Sequence, residues 1–355
     1  MKADLRRAGN FAQRFGLRIP IMLAPMAGAC PPSLSIAVAN AGGLGACGAL
    51  RMMPDAIVDW AKEVRSHSNG AFQMNLWIPD PVPVRDSERE KQLRDFLKQW
   101  GPDVPADTGA SEMYDFGAQC DALLASGAPI ISSIMGLYPA PFVRRMKESG
   151  VAWFATVTTV EEARIAAEAG ADVIVAQGSE AGGHRGAFDR ERAERQLVGL
   201  FSLLPAVVDA VDVPVVATGG IADARGITAA LALGASAVQI GTGFLRCPEA
   251  KLHPVWADAL GRTLPEDTSV TSAFTGRAAR SIANAYVLVA NAQDAPTPMA
   301  YPLQRDLTAA MREDAARQGD ADRMQLWAGQ SAALAQPIPA ARLLHELWEQ
   351  VSSRD

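Results

Sequence analysis

Cysteine and histidine are scarce in this chain, with four of each among 355 residues. The cysteines (Cys30, Cys47, Cys120 and Cys247) lie far apart, with no CxxC and no Cys/His ligand spacing. That excludes a recognisable zinc module and points to reduced thiols in a cytosolic protein. An excess of positive charge is also missing: 33 Lys and Arg stand against 39 Asp and Glu, a net charge of -6. A nucleic-acid partner needs a basic surface and is not expected. No stretch of roughly 20 apolar residues occurs, so no membrane partner is expected. The first residues, MKADLRRAGNFAQRFG, hold no apolar run of signal-peptide length, and the expected compartment is the cytoplasm. Internal repeats and low-complexity tracts are absent.

What the chain does hold is a folded protein's balance, 49% hydrophobic and 20% charged. Eight short apolar runs recur along it: IMLAPM (21–26), LGACGAL (44–50), FQMNLWI (72–78), PIISSIM (129–135), VAWFATV (151–157), DVIVAQG (172–178), VPVVATGG (213–220) and AVQIGTGFL (237–245). Each is apolar throughout rather than alternating, as strands of a parallel sheet buried on both faces are. Between them lie segments of helical period such as SLSIAVANAGG, TVEEARIAAEAGA and DARGITAALALGA, several ending in Gly as helix C-termini prefer. Eight strands with intervening helices predict an α/β fold, a (β/α)8 TIM barrel. A doubly wound sheet would carry GxGxxG after its first strand, and here that strand ends in PMAG.

Two regions break the repeat. Residues 79–112 are rich in Pro and charge and read as a long excursion after the third strand. Beyond about residue 250 the alternation stops. The expected organisation is a barrel over 1–250, a small, mainly helical substrate or lid subdomain over 251–325, and a segment 326–355 returning to the barrel. In that last segment PIPAARLLHELWEQV reads as an amphipathic helix starting after Pro337 or Pro339. Its apolar residues suit packing on the barrel or on another subunit, leaving a monomer or a homodimer.

Chemistry in such a barrel sits at the C-terminal ends of the strands. The seventh run ends in Gly219-Gly220 and the eighth continues into Gly241-Thr242. Glycines there let backbone N–H groups approach an anion, and a following helix N-terminus would add its dipole. One Gly pair alone would suggest only a tight turn; two on successive final strands suggest a phosphate cradle. The first strand ends in Ala24-Pro25-Met26-Ala27-Gly28, and the third presents Gln73, Asn75 and Trp77 on one face. A buried Asn75 amide suits either the edge of a heterocyclic cofactor or a structural bond to backbone. Gln177, ending the sixth run, repeats the pattern and favours a ligand.

The loop that follows reads QGSEAGGHRG, with four glycines and one histidine in ten residues. The Gly182-Gly183 pair leaves the backbone free to lie against a flat ligand. His184 can take or give a proton near neutral pH. Glu180 and Arg185 suit orienting the loop, binding substrate charge, or an ion pair with each other. His67, His253 and His345 have no comparable setting and read as structural or solvated.

QGSEAGGHRG, together with LAPMAG, QMNLWIP, VVATGGIADARG and QIGTGFLRCPEA, resembles the nitronate monooxygenases, formerly called 2-nitropropane dioxygenases, which are FMN-dependent TIM-barrel enzymes. The similarity runs through nearly the whole barrel and continues weakly in FTGRAAR (274–280), YPLQ (301–304) and LWAGQ (326–330). FMN-dependent enoyl-acyl-carrier-protein reductases and some NADH:quinone reductases share a similar Gly-Gly-His loop, so an NAD(P)H-dependent reductase is the alternative. The resemblance implies FMN as cofactor and no metal. It places flavin contacts on Asn75, Gln177, Gly182, Gly220, Gln239, Gly241 and Thr242, with Pro25 and Met26 beside the isoalloxazine ring. Ala24, Gly183 and Gly219 complete the expected cofactor set. His184 matches the family's catalytic histidine. Cys247 departs from the pattern, where Thr or a similar residue is expected. The implied reaction is oxidation of alkyl nitronates, and of neutral nitroalkanes where His184 acts as base, by O2 to a carbonyl compound and nitrite, a detoxifying activity.

Overall fold

The computed structural model describes residues 3–109 and 114–353. Eight parallel strands form a nearly closed ring: β1 (Ile21–Leu23), β2 (Gly45–Gly48), β3 (Phe72–Trp77), β4 (Ile130–Ile134), β5 (Ala152–Val157), β6 (Val173–Gln177), β8 (Val215–Thr218) and β9 (Ala237–Ile240). β7 is the two-residue strand Gly183–His184, which lies outside the ring. Each ring strand falls inside one of the eight apolar runs, and the strands neighbour one another in chain order. Last and first meet through β1–β9 pairing, and a parallel bridge Met22↔Leu44 joins β1 to the residue before β2. The fold is the expected (β/α)8 TIM barrel.

Helices wrap the ring because each offers an apolar stripe to strands already apolar on both faces. The segments read as helical form Pro32–Ala41, Val160–Glu168 and Ala224–Ala232. Their buried faces join the strands in one large core that includes Leu34, Val38, Trp153, Ile174, Leu204 and Leu344. The N-terminal helix Ala3–Arg14, which the sequence did not announce, brings Phe11 and nearby Phe15 to Phe154 of β5. These rings join Met22, Leu44, Val175 and Val216 in a separate apolar cluster. Filling a barrel interior with side chains makes it a packed core rather than a pore.

Past residue 250 the chain is helical, as read, but it also contains a small antiparallel sheet. β10 (Thr268–Thr271) pairs with β11 (Ala279–Ile282), and β11 pairs with β7. The excursion after β3 holds the helix Ser87–Leu97, capped by Asp86, whose side chain accepts from Arg89 N. Leu93 and Leu97 of that helix pack with Phe274, Tyr286, Leu303 and Met311. The excursion is therefore part of the structure above the barrel mouth; its residues 110–112 lie outside the described residues. The last helix, Ala340–Ser352, begins after Pro339 and packs on Pro32–Ala41 and Ala224–Ala232 of the barrel wall. Among the described residues no helix is long and apolar enough to cross a membrane, and no group of three or more His, Cys, Asp or Glu side chains is placed to hold a metal ion.

Candidate active site

One cavity of about 330 Å³ opens at the C-terminal ends of the strands, within the range usual for small-molecule and cofactor sites. Its lining contains every site residue read from the sequence: Ala24, Pro25 and Met26 after β1, Asn75 on β3, Gln177 on β6, Gly182, Gly183 and His184 on the loop beyond, Gly219 and Gly220 after β8, and Gln239, Gly241 and Thr242 at β9. The barrel brings them together because each ends or follows a parallel strand and all eight strands point the same way.

The glycine end of the cavity is rich in free donors. Gly219 and Gly220 have φ of +108° and +68°, values that a side chain disfavours. Among the described residues their N–H groups make no hydrogen bond. The Thr242 hydroxyl accepts from Gly329 N at 3.0 Å, so its own proton is left to donate. Ser331 Oγ donates to Gly220 O at 2.7 Å and braces the turn. Gly182 is required by close approach, since a Cβ there would lie 2.6 Å from Ala328 C and 2.8 Å from Thr242 Oγ1. One expectation is corrected. The helix after β8 does not offer its N-terminus to an anion, because the Asp223 carboxylate already accepts from Arg225 N and Gly226 N. After β9 only a three-residue turn of 3-10 helix follows, Thr242–Phe244. The donors free at this point are backbone N–H groups and a hydroxyl rather than a helix terminus.

The amides divide in role. Asn75 Nδ2 donates to Ser132 Oγ across the β3–β4 pair at 3.0 Å, and its Oδ1 has no partner among the described residues. Gln239 Oε1 accepts from Gln73 Nε2 at 3.0 Å. Gln177 is engaged by the loop itself: Nε2 donates to His184 O at 3.1 Å, and Oε1 accepts from Gly186 N at 2.8 Å and Arg185 Nη1 at 3.1 Å. It lines the cavity while latching the loop to β6.

Glu180 and Arg185 form no ion pair. The Glu180 carboxylate accepts from Leu200 N, at the start of helix Leu200–Val208. Arg185 is buried, with Nη1 also on Gly178 O at 2.7 Å, while Nε and Nη2 have no partner. Burial, assisted by Arg280, pushes its guanidinium down to about 10. Met135, just after β4 and with φ of +70°, donates its N–H to Gly186 O at 3.3 Å. His67 stands exposed, His253 accepts from Val255 N at a helix start, and His345 Nε2 meets Ala41 O at 3.0 Å.

His184 is positioned from above as well as below. β7 pairs with β11 in the register Ala279↔His184, which brings the β10–β11 connection over the imidazole. His184 Nε2 lies 2.9 Å from Thr275 Oγ1. Among the described residues Nδ1 makes no hydrogen bond, and it is not fully buried, which leaves it the nitrogen open to the cavity that His184 lines. Trp77 and Trp327 meet the ring edge-on, with centroids at 4.6 and 5.2 Å. Tyr301 stands against Trp77 at 5.2 Å. Part of the ring faces the cavity, but protein encloses it, and burial followed by the nearby Arg277 charge pushes its pKa down to about 3. At neutral pH the imidazole is therefore uncharged and able to accept a proton.

Arg277 is itself neutralised. Its guanidinium grips Asp80 of the excursion through two bonds, of 2.8 and 2.9 Å, and donates to Ala187 O at 3.1 Å. The remaining charge of the cavity is positive. Arg51, Arg305 and Arg312 line it and no carboxylate does, although Arg305 Nη1 is paired behind the wall with Asp306 Oδ1 at 3.2 Å. Arg312 donates only to neutral acceptors (Thr308 Oγ1, Arg305 O and Gln325 Oε1). Burial and the charges of Arg305 and Arg51 push it down to about 10.

Sequence reasoning missed Thr275, Trp327 and these arginines as site residues. FTGRAAR and LWAGQ, noted above as carrying resemblance, were the available signal for the first two.

An FMN group fits this donor set. Unpartnered N–H groups at Gly219 and Gly220 and the Thr242 hydroxyl suit a phosphate. Asn75 Oδ1 suits a ring N–H, and the glycines and Pro25-Met26 leave room for a planar ring.

Comparison with known proteins is consistent along the whole chain. Residues 11–350 match the nitronate monooxygenase family. A probable nitronate monooxygenase from Bacillus subtilis is 38% identical, over 96% of this chain and 98% of the relative. Among solved structures, a nitroalkane oxidase from Streptomyces ansochromogenes superposes with a TM-score of 0.87 at 36% identity, covering 95% of this chain and 96% of that one. FabK from Thermotoga maritima superposes with a TM-score of 0.75 at 28% identity, covering 97% and 96%.

Proposed function

The chain belongs to the nitronate monooxygenase family of oxidoreductases, and from that premise we propose that it oxidises alkyl nitronates, and neutral nitroalkanes through His184, using FMN and O2 to yield a carbonyl compound and nitrite. The observation that carries this reading is an imidazole, held by Thr275, in the lining of one cavity together with the glycines and Thr242 after β8 and β9 and with three arginines. When bound, FMN would supply the electron acceptance and the oxygen chemistry; the protein supplies binding, orientation and proton handling. Gly219, Gly220 and Thr242 would hold its phosphate, and Asn75, Gln239 and the Pro25-Met26 segment its ring system.

The protein's own residues do the rest. Arg51 and Arg312, neither of which is paired with a carboxylate among the described residues, draw an anionic nitronate into the cavity that they line with Arg305. Trp77, Tyr301 and Trp327 wall off water around His184. With a neutral nitroalkane, His184 Nδ1 takes the proton from the carbon next to nitrogen, where the nitro group already acidifies the C–H. A nitronate has already lost that proton, so no base is required.

The test begins with the visible spectrum of the purified protein, followed by anaerobic addition of ethyl nitronate and, separately, NADH. A flavin spectrum bleached by nitronate and not by NADH supports the proposal. Rapid bleaching by NADH alone supports the reductase alternative, and a colourless protein that FMN cannot reconstitute overturns the cofactor. His184→Asn is expected to lower nitroalkane turnover by roughly 10²–10⁴-fold, the usual contribution of a positioned base, with a far smaller loss on nitronate. Equal losses would remove His184 from the base role.

A further inference from the structure

His184 has two ring nitrogens, and a base must present the unprotonated one to its substrate. Nε2 faces Thr275 Oγ1 at 2.9 Å, and Nδ1 faces the cavity. Which nitrogen carries the proton is therefore decided by the Thr275 hydroxyl. That hydroxyl, buried in the β10–β11 connection, lies 3.3 Å from the carbonyl oxygen of Arg277, which has no other donor among the described residues. If Oγ1 donates to Arg277 O, it accepts from Nε2–H, and both buried acceptors are satisfied. If it donates to Nε2 instead, the carbonyl is left without a partner, which is costly for a buried group.

We propose that Thr275 is a positioning residue: the chain His184 Nε2–H to Thr275 Oγ1–H to Arg277 O holds the imidazole in the tautomer whose Nδ1 lone pair faces the substrate. The inference rests on the reading of His184 as base. In the proton-transfer step the substrate C–H bond breaks, an Nδ1–H bond forms, and the electron pair stays on the substrate as nitronate. Nε2 keeps its proton throughout, and the charge that develops on the ring is met by the Thr275 oxygen. The register of β7 against β11 sets His184 opposite Ala279, and Thr275 of the preceding connection reaches the ring from there, so the base is tuned from the structure above the mouth rather than from the barrel.

The tautomer is readable without turnover. In the holoenzyme labelled with 15N-histidine, only four imidazoles contribute, and the signals lost in His184→Asn identify the one of interest. A neutral ring with the proton on Nε2 supports the inference; a proton on Nδ1 overturns it. Kinetics with nitroethane and ethyl nitronate supply the second arm. Thr275→Val is expected to lower the ratio of nitroethane to ethyl nitronate kcat/KM by about tenfold or more, a fraction of a full base's contribution, and Thr275→Ser to restore it. Equal loss on both substrates, or no restoration by Ser, overturns the positioning role. Failure of the underlying reading is distinguishable, because His184→Asn would then spare nitroethane turnover in its own right.

Discussion

The barrel ring and the three-stranded sheet over its mouth are assembled by opposite logics. Ring strands pair with their sequence neighbours, each joined by a local helix, and their residues are apolar on both faces. In the small sheet, a two-residue strand, Gly183–His184, pairs with Ala279–Arg280 from far along the chain. The ring is held by burial of many apolar side chains; the sheet and its loops rest on a smaller apolar cluster around Phe274 and add specific polar contacts such as Asp80–Arg277 and Thr275–His184. Catalytic precision is thus placed where single contacts matter, and bulk stability where none does by itself.

The sharpest way to break that contrast pairs one variant from each side. Asp80→Ala leaves the Arg277 guanidinium buried without its partner, and is expected to cost about 3–5 kcal/mol in urea unfolding, with activity lost per folded molecule. Leu34→Ala, in the fully buried core of the barrel wall, is expected to cost about 2–5 kcal/mol with kcat of the folded fraction nearly unchanged. Similar stability losses with opposite effects on activity would uphold the division. Loss of activity in Leu34→Ala would erase it.

A second prediction concerns acid. The His184 pKa is lowered from 6.5 to about 3 in the folded protein, so between those values the unfolded chain binds a proton that the folded chain does not. Stability is then fully present above pH 6.5 and falls as pH drops toward about 3. His184→Asn should show a shallower decline than the parent in thermal unfolding across this window, and the same slope above it. Identical curves would show that the imidazole is not shielded as described.

The smallest effect is expected at the rim. Arg51 is exposed and has no bonded partner among the described residues. Arg51→Gln should raise KM for a nitronate by about threefold to tenfold, the ~1 kcal/mol of a partly solvated charge, and leave KM for a neutral nitroalkane almost unmoved. High salt should mimic the substitution. A KM that ignores both would separate the arginines from substrate capture.

The legible part of the fold was the part with a local period. Eight apolar runs predicted eight strands, because a strand buried on both faces must be apolar whatever its partners are. The positive φ of Gly219 and Gly220 was readable for the same reason, since glycines at strand ends state a backbone requirement that needs no partner to recognise. The N-terminal helix under Phe154 and the helix Ser87–Leu97 under Phe274 were not, because their value lies in distant surfaces they cover. The helix after β8 shows the limit from the other side: in the sequence its start reads as free to face an anion, and only the structure shows the Asp223 carboxylate capping it.

By itself, then, the sequence determined the barrel, the gathering of the named residues at the C-terminal ends of its strands, and a histidine delivered there on a glycine loop. Local periodicity and backbone freedom are properties of neighbouring residues, and the chain states them directly. Only the tertiary structure decided that Gln177 latches the loop, that Glu180 caps a helix, that three arginines and no carboxylate line the cavity, and that His184 is paired with Thr275. Those arrangements depend on through-space distance and enclosure, which arise when β7 meets β11, and no run of neighbouring residues contains them.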